Sequence, residues 1–537
     1  MQRFKRLWHT LRWLKPVQFY GRVWFRLARP RPDLRDAPAQ RVAAGTWVGC
    51  AREASMTGPR RFRFLGVERD LQAAGDWNRP DWPKLWLYNA HYFDDLAASD
   101  ASARVQWHRE LVDRWVRENP PGQGNGWEPY PSSLRIVNWI KWALAGNALD
   151  AEAVHSLAVQ TRYLRGRLEI HLLGNHLWAN AKALVFAGAF FDGAEAARWM
   201  AKGAALIERE LDEQFLADGG HFERSPMYHS ILLEDVLDLL QLARTYRSAL
   251  PGTLVRKLKN IVVPMLRWLR VMTHPDGNIA LFNDAAFGIA PPLAALEAYA
   301  RTLGLTIDTA PLSALEVLPE SGYVRMCAGP AVMIADVGLV GPDYLPGHAH
   351  ADTLSFELSL HGHRVLVNGG TSTYENGPLR LAQRGTAMHN TVAVDGEDSS
   401  EVWSSFRVAR RAPPMNERWA QEGAVLMLEG AHSGYWRLPG RVVHSRRWEL
   451  SDGGLAVIDV LSGEPREAVG RFRFAPSLDV AAGRAQGDGM QLAWQVLGAD
   501  ATAVPGAWYP RFGEERPCQV LECRMDGGHM TTEFSWT

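Results

Sequence analysis

Cysteine is scarce: Cys50, Cys327, Cys518 and Cys523 are the four in 537 residues. They show neither a dense disulfide framework nor the spacing of a Cys-based metal site, so they read as free thiols, which suits a reducing compartment. No apolar run reaches the ~18 residues that a membrane span needs. Neither sign of charge is in excess, with Lys+Arg and Asp+Glu both at 59. That balance gives no sign of nucleic-acid binding or of an acidic tail. Also missing are a P-loop, a dinucleotide glycine fingerprint after a strand, a G-x-S-x-G elbow, an H-E-x-x-H helix and a C-x-x-C pair. The chemistries those motifs carry therefore have no support here.

What is present is an ordinary globular composition, 47% hydrophobic and 22% charged, in a chain too long for one core. Two or three domains are expected. Tryptophan is abundant, at 22 residues. Many of these are expected in the core, but flat rings also stack on the apolar faces of sugars. Residues 1–32 are basic and aromatic, with no acid before Asp33. They lack the continuous apolar stretch and small-residue cleavage site of a secretory signal. Two readings stand: a helix packed on the main body, or a peripheral contact with a membrane or a partner. The expected location is cytoplasmic or membrane-peripheral rather than periplasmic, and the oligomeric state is not legible.

Texture divides the chain in three. Residues 1–80 read as the basic, aromatic arm and a linker. From 81 to 315 helical periods dominate, as in "SSLRIVNWIKWALAG", where Leu134, Val137, Ile140 and Leu144 recur near helical spacing between a Ser start and a Gly stop. From 316 to 537 short runs alternate with a period of two, punctuated by Gly, Pro, Asp and Asn, which predicts a large antiparallel β-sandwich. A ligand cleft is expected between the halves. In "LPGHAHADTLSFELSLHGH", Leu354, Phe356, Leu358 and Leu360 alternate with Thr353, Ser355, Glu357 and Ser359, which predicts a half-buried strand.

Five constellations could carry chemistry. His348, His350 and Asp352 precede that alternating strand, where they could bind a metal or hold a catalytic imidazole. His389 and Asn390 lead another strand in "TAMHNTVAVDG". With His350 and a carboxylate, His389 would make a Zn²⁺ site. Asn368 is a poor third ligand, and Asp352 is the sequence-local alternative. "GNHLWANAKAL" places Asn175 and His176 at the start of an apolar helix. "GGHFERSPMYH" crowds Glu223, Arg224, Tyr228 and His229 around a helix start, where Ser225 and Pro226 form an N-cap and N1 pair. Tyr228 is a candidate proton-transfer phenol. "NGWEPYPSSLRIVNW" combines Trp127, Tyr130, Arg135 and Asn138, suited either to binding an acidic sugar or to a core with a buried Arg.

Taken in order, "WLYNAHYFDDL", "WEPYPSSLRIVNW", "GNHLWANAKAL", "HFERSPMYH", "GHAHADTLSFEL" and "TAMHNTVAVDG" resemble the heparinase II/III-like polysaccharide lyases, from about Trp82 to the C-terminus. The resemblance implies an incomplete (α/α) toroid followed by an antiparallel β-sandwich. It also implies β-elimination on an acidic, uronate-containing polysaccharide, with no organic cofactor. By motif, Asn175 is then the residue that neutralises the uronate carboxylate, with His176 beside it. Tyr228 is the catalytic phenol and His348 the catalytic imidazole. Trp127, Tyr130, Arg135, Asn138, Glu223, Arg224 and His229 are expected to bind substrate. His350 and His389 are the metal-binding histidines, and the third ligand of the family, an aspartate, falls on Asn368. Signal-less chains of this kind point to capsule or exopolysaccharide turnover or assembly. A non-catalytic polysaccharide-binding factor and a glycoside hydrolase on the same scaffold are the alternatives.

Overall fold

The helical periods and the alternating runs fold as their spacing demands, in a computed structural model that describes residues 2–536. Two helices, Gln2–Leu11 and Pro16–Leu27, open the chain. The stretch expected as a linker contains a three-stranded antiparallel sheet, Met56–Gly58, Arg61–Phe64 and Val67–Asp70. Among the described residues, nine α-helices follow, from Lys84–Tyr92 to Leu293–Thr302. They form the toroid half, whose core is rich in tryptophan. Trp77, Trp86, Trp115, Trp139, Trp178, Trp199 and Trp268 are all buried there. Much of the tryptophan surplus is therefore packing rather than sugar contact.

The helix Gly174–Phe190 is buried along its whole length apart from His176. A helix that is apolar on every side belongs in the middle of a domain. Small residues let its neighbour Gly193–Gln214 approach closely. A Cβ on Gly203 would lie 2.8 Å from the carbonyl oxygen of Ala181, so any larger residue pushes the two helices apart. The first turn of this rigid helix carries Asn175.

The sheets of the second half are all antiparallel. A five-stranded sheet runs in sequence order from Leu315–Leu318 to His363–Leu366. An eight-stranded sheet has Pro414–Glu422 at one edge and Asp479–Ala481 at the other. A four-stranded sheet includes Val392–Val394, and the bridge Leu366–Phe474 links it to the five-stranded one. Phe356, Trp448, Phe472 and Phe534 interlock between these sheets as the sandwich core.

The strand Phe356–Leu360 corrects one expectation. It is buried on both faces, not one. Its polar side turns toward the helical half, where Glu357 accepts from His274 Nε2 (3.1 Å), Arg364 (3.0 Å) and the backbone N–H of Leu281 (3.2 Å). Ser359 pairs with His274 Nδ1 at 2.8 Å. Alternation reports which side chains are polar. It cannot tell a wet face from one that meets another domain through hydrogen bonds. The junction is fastened again where Tyr323 donates to the Arg224 carbonyl (2.6 Å) and Trp268 donates to Ser321 (2.8 Å).

Candidate active site

A buried carboxylate organises the junction. Asp284, on a loop of the helical half, accepts from His348 Nδ1 and from His350 Nε2, both at 2.8 Å. Both nitrogens of the Arg380 guanidinium fork also bind it. Burial alone would raise its pKa, but Arg380 and the two imidazoles hold it well below the usual carboxylate range. An ionised acceptor draws the ring proton to the bonded nitrogen. His348 therefore keeps its proton on Nδ1 and a free lone pair on Nε2, while His350 keeps Nε2–H and frees Nδ1. One aspartate sets both tautomers.

The free Nε2 of His348 faces the helical half. Asn175 Nδ2 lies 3.5 Å from it and 3.4 Å from Glu223 Oε2. Backbone geometry aims Asn175: Leu173 and Gly174 take left-handed φ of 64° and 53°, which turns the chain sharply into the helix. A side chain on Gly174 would meet Leu345 at 2.4 Å. Tyr228 enters from a third direction, in the first turn of Pro226–Thr245, where the Ser225 hydroxyl caps the helix by accepting its N–H at 3.2 Å. The Tyr228 and His348 rings are in contact, their centroids 4.0 Å apart. Burial and the neighbouring Tyr374, whose hydroxyl lies 3.1 Å from that of Tyr228, keep this phenol protonated, its pKa well above normal.

Around this centre the protonation states are mixed. Burial raises the pKa of Glu223 against the opposing pull of His348. Burial works against charge on His176 as well, but the adjacent Glu169, 3.1 Å away, raises its pKa overall. The Tyr130 ring rests 4.6 Å from that of His176. The site thus gathers a phenol held protonated, an imidazole whose Nε2 is turned to the helical half, an amide donor and a second imidazole whose pKa Glu169 raises.

Several expected substrate-binding residues are elsewhere. Arg135 is fully buried, donating to Gln160, to Gly126 and His91 carbonyls, and lying over Trp115. Trp127 is buried and donates to the Asn119 carbonyl. His229 is buried against Trp268 and bonds the Met265 carbonyl. Arg224 turns away to the Ser321 and Glu320 carbonyls, joining the two halves. Asn138 donates to Asp94 and to the Tyr92 carbonyl. These polar groups are consumed by internal partners, which a motif cannot reveal. Asp284, Arg380 and Tyr374 belong to the site but fall in none of the five constellations. The one signal for Asp284 is that it is the lone acid in the mostly apolar "IALFNDAAFG"; Arg380 and Tyr374 carry none.

Behind the His348 loop, His350, Asp352 and His389 bring one ligand atom each within 4.8 Å of one another, all buried. His350 Nδ1 and His389 Nε2 have no hydrogen-bond partner, as metal-ligating nitrogens would not. Asn368 is not the third member of this group. Its Oδ1 lies 3.4 Å from His389 Nδ1, where it accepts the ring proton and leaves Nε2 free. Asp352 supplies the carboxylate instead. The donor set, two imidazoles and one carboxylate, fits a Zn²⁺-class cation.

Comparison with known proteins identifies the fold and the family. The family model described as heparinase II/III N-terminus matches residues 96–296, and that described as heparinase II/III-like, C-terminal, matches 310–537. FtsZ-localized protein C of Caulobacter vibrioides is 28% identical over 426 residues, 73% of this chain and 68% of that protein. A heparin-sulfate lyase of Bacteroides stercoris is 22% identical over 442 residues, 72% of this chain and 62% of the lyase, so the match spans less than two thirds of that enzyme. The crystal structure of a heparinase III superposes with a TM-score of 0.67 at 16% identity, covering 97% of this chain and 89% of the other. With both family models in register along the chain and the fold shared end to end, the chain belongs to the heparinase II/III-like polysaccharide lyase family.

Proposed function

We propose that this chain cleaves an acidic, uronate-containing polysaccharide by β-elimination, and that the junction just described is its active site. The observation that carries the reading is the convergence of Tyr228, His348 and Asn175, drawn from both halves, on one point. The reaction removes the C5 proton of a uronate, beside a carboxylate whose negative charge resists gaining more. Asn175 donates to that carboxylate, and Glu223, its pKa raised by burial, and His176, its pKa raised by Glu169, add to the stabilisation as enolate character develops. His348 Nε2 takes the C5 proton, Asp284 holding the other ring nitrogen and so fixing the tautomer. The C5–H electrons form the C4=C5 double bond, the C4–O bond breaks, and the leaving oxygen takes the Tyr228 phenol proton. Return of the proton from imidazolium to phenolate, across rings already in contact, restores the site. The products are a shortened chain and an unsaturated uronate.

His350, Asp352 and His389 would hold a divalent metal that supplies no proton transfer but pins the loop bearing His348. A role in capsule or exopolysaccharide turnover fits the reading. A second reading, a glycan-binding factor without turnover, draws on the relative named FtsZ-localized protein C, a name that states no catalysis. One experiment separates them. Incubation with a panel of acidic bacterial polysaccharides is expected to shorten one of them and to generate conjugated-alkene absorbance, and Tyr228→Phe is expected to lose turnover by at least about 10²-fold while keeping its fold. Near-normal rates in that variant, on a confirmed substrate, would remove the assignment. Binding without any alkene would favour the second reading.

A further inference from the structure

The helix Pro16–Leu27 is packed the wrong way round for a soluble protein. Its apolar stripe, Phe19, Tyr20, Val23, Trp24 and Leu27, recurs at helical spacing and faces solvent, with Trp24 65% and Leu27 77% exposed. Its buried edge is narrow: Gln18 and Gly21, with Phe25 half-buried against the His171 ring at 4.4 Å. The preceding helix repeats the pattern, with Phe4 80% and Trp8 66% exposed one turn apart. A contiguous apolar surface of this kind on a folded protein marks a contact with something else.

Charge identifies the something else. Residues 1–32 contain nine Lys and Arg and no Asp or Glu, in a chain whose total charge is zero. Arg22 and Arg26 flank the exposed stripe on the same helix. Positive charge extends onto the sandwich, where Arg12 shares a cavity of about 520 Å³ with Arg410, Arg411 and Arg437, beside the exposed Trp436. Glu401, Asp343 and, at 4.0 Å, Glu397 offset Arg410, Arg411 and Arg437 there, leaving Arg12 as the surplus positive charge. Aromatic and aliphatic side chains with a basic border match the interface of an anionic bilayer, where rings enter the headgroup layer and arginines meet phosphates.

We propose that the two N-terminal helices form a docking surface for an anionic lipid bilayer. The surface is fixed to the body rather than tethered. Gln18 Nε2 donates to the Tyr344 carbonyl at 3.1 Å, Lys15 pairs with Glu213 at 2.5 Å, and Trp403 donates to Thr10 at 3.1 Å. Tyr344 adjoins Leu345, which packs on Gly174 beside Asn175. Docking therefore holds the site at the junction near the membrane surface, whatever its substrate.

The test uses the full chain, without substrate, in flotation with vesicles of phosphatidylcholine alone or mixed with phosphatidylglycerol. The chain is expected to float with the anionic vesicles only and to be released as ionic strength rises. Val23→Glu/Trp24→Glu is expected to weaken that binding by at least about tenfold with an unchanged thermal midpoint, since both side chains point to solvent. Should this variant not fold, Arg22→Glu/Arg26→Glu tests the same surface through charge, with the same expected loss. Absence of flotation, equal flotation with neutral vesicles, or full binding by the folded variants would overturn the proposal. So would concentration-dependent self-association of the wild type that the variants abolish, because the stripe would then be covered by a second copy.

Discussion

Asp284 shows how much one side chain can decide. It touches no substrate in the proposed reaction, yet it leaves His348 a base and His350 a metal ligand by accepting a proton-bearing nitrogen from each. It is a positioning residue. Asparagine in its place has one acceptor oxygen for four N–H donors and leaves the buried Arg380 charge uncompensated. Asp284→Asn is expected to lose about 3–5 kcal/mol of stability in denaturant unfolding. It is also expected to lower kcat on the order of 10³-fold with KM little changed, because the wrong tautomer carries the wrong proton. A purely structural role would lower active fraction without that split, so equal kcat per folded molecule would refute it. Residue types at this scale were legible: the histidines, Tyr228 and Asn175 stood out in the sequence. Their partners did not, because a buried charge and the group that neutralises it are here 96 residues apart.

At the scale of elements, the loop that carries His348 and His350 has no regular structure of its own between Asp336 and Phe356. Asp284, the Asn283 side chain accepting the His350 N–H at 3.1 Å, and Arg384 donating to the Ala349 carbonyl at 2.8 Å all hold it, together with the His350–Asp352–His389 cluster. The last ties the loop to the turn before the strand Val392–Val394. His389→Ala is expected to abolish metal retention, measured by elemental analysis of purified protein. It is also expected to lower the thermal midpoint by several degrees, as loss of about 1–3 kcal/mol would for a protein this size. Metal content equal to wild type would exclude His389 from the site. The role of Asp352 was open in the sequence because spacing along the chain measures reach, not direction. The fold turned Asp352 toward His389 and left Asn368 to orient the ring.

For the whole molecule, buried histidines set the response to acid. Burial lowers His91 and His229 to about 3, with the nearby Arg135 adding to the effect at His91. Above their ordinary value near 6.5 both are neutral whether folded or not, and they contribute nothing. As pH falls from there toward 3, only the unfolded chain takes up protons, and stability is lost at up to about 1.4 kcal/mol per pH unit for each. The depressed carboxylates Asp95 and Asp459, both at about 2 with their partners overcoming burial, add their loss only below the usual carboxylate range. Acid unfolding followed by circular dichroism is thus expected to begin below about pH 6 and to reach its midpoint at roughly pH 4–5. His229→Gln is expected to move the midpoint lower and make the pH dependence shallower. An unchanged profile would show that His229 is not kept neutral by burial.

The sequence by itself determined what depends on neighbours along the chain. The 3.6 and 2.0 periods placed helices before strands, the Ser225–Pro226 pair started the Tyr228 helix, and six ordered motifs carried the family. Tertiary structure alone decided what depends on distant groups meeting in space. It chose which polar residues became core braces, as Arg135 and Arg224 did, and buried both faces of a strand that alternates. It also brought Asp284 between two histidines. The reason is that periodicity encodes the burial of apolar side chains, whereas a buried polar group is stable only against a partner of matching charge and geometry, and that partner is supplied by the fold.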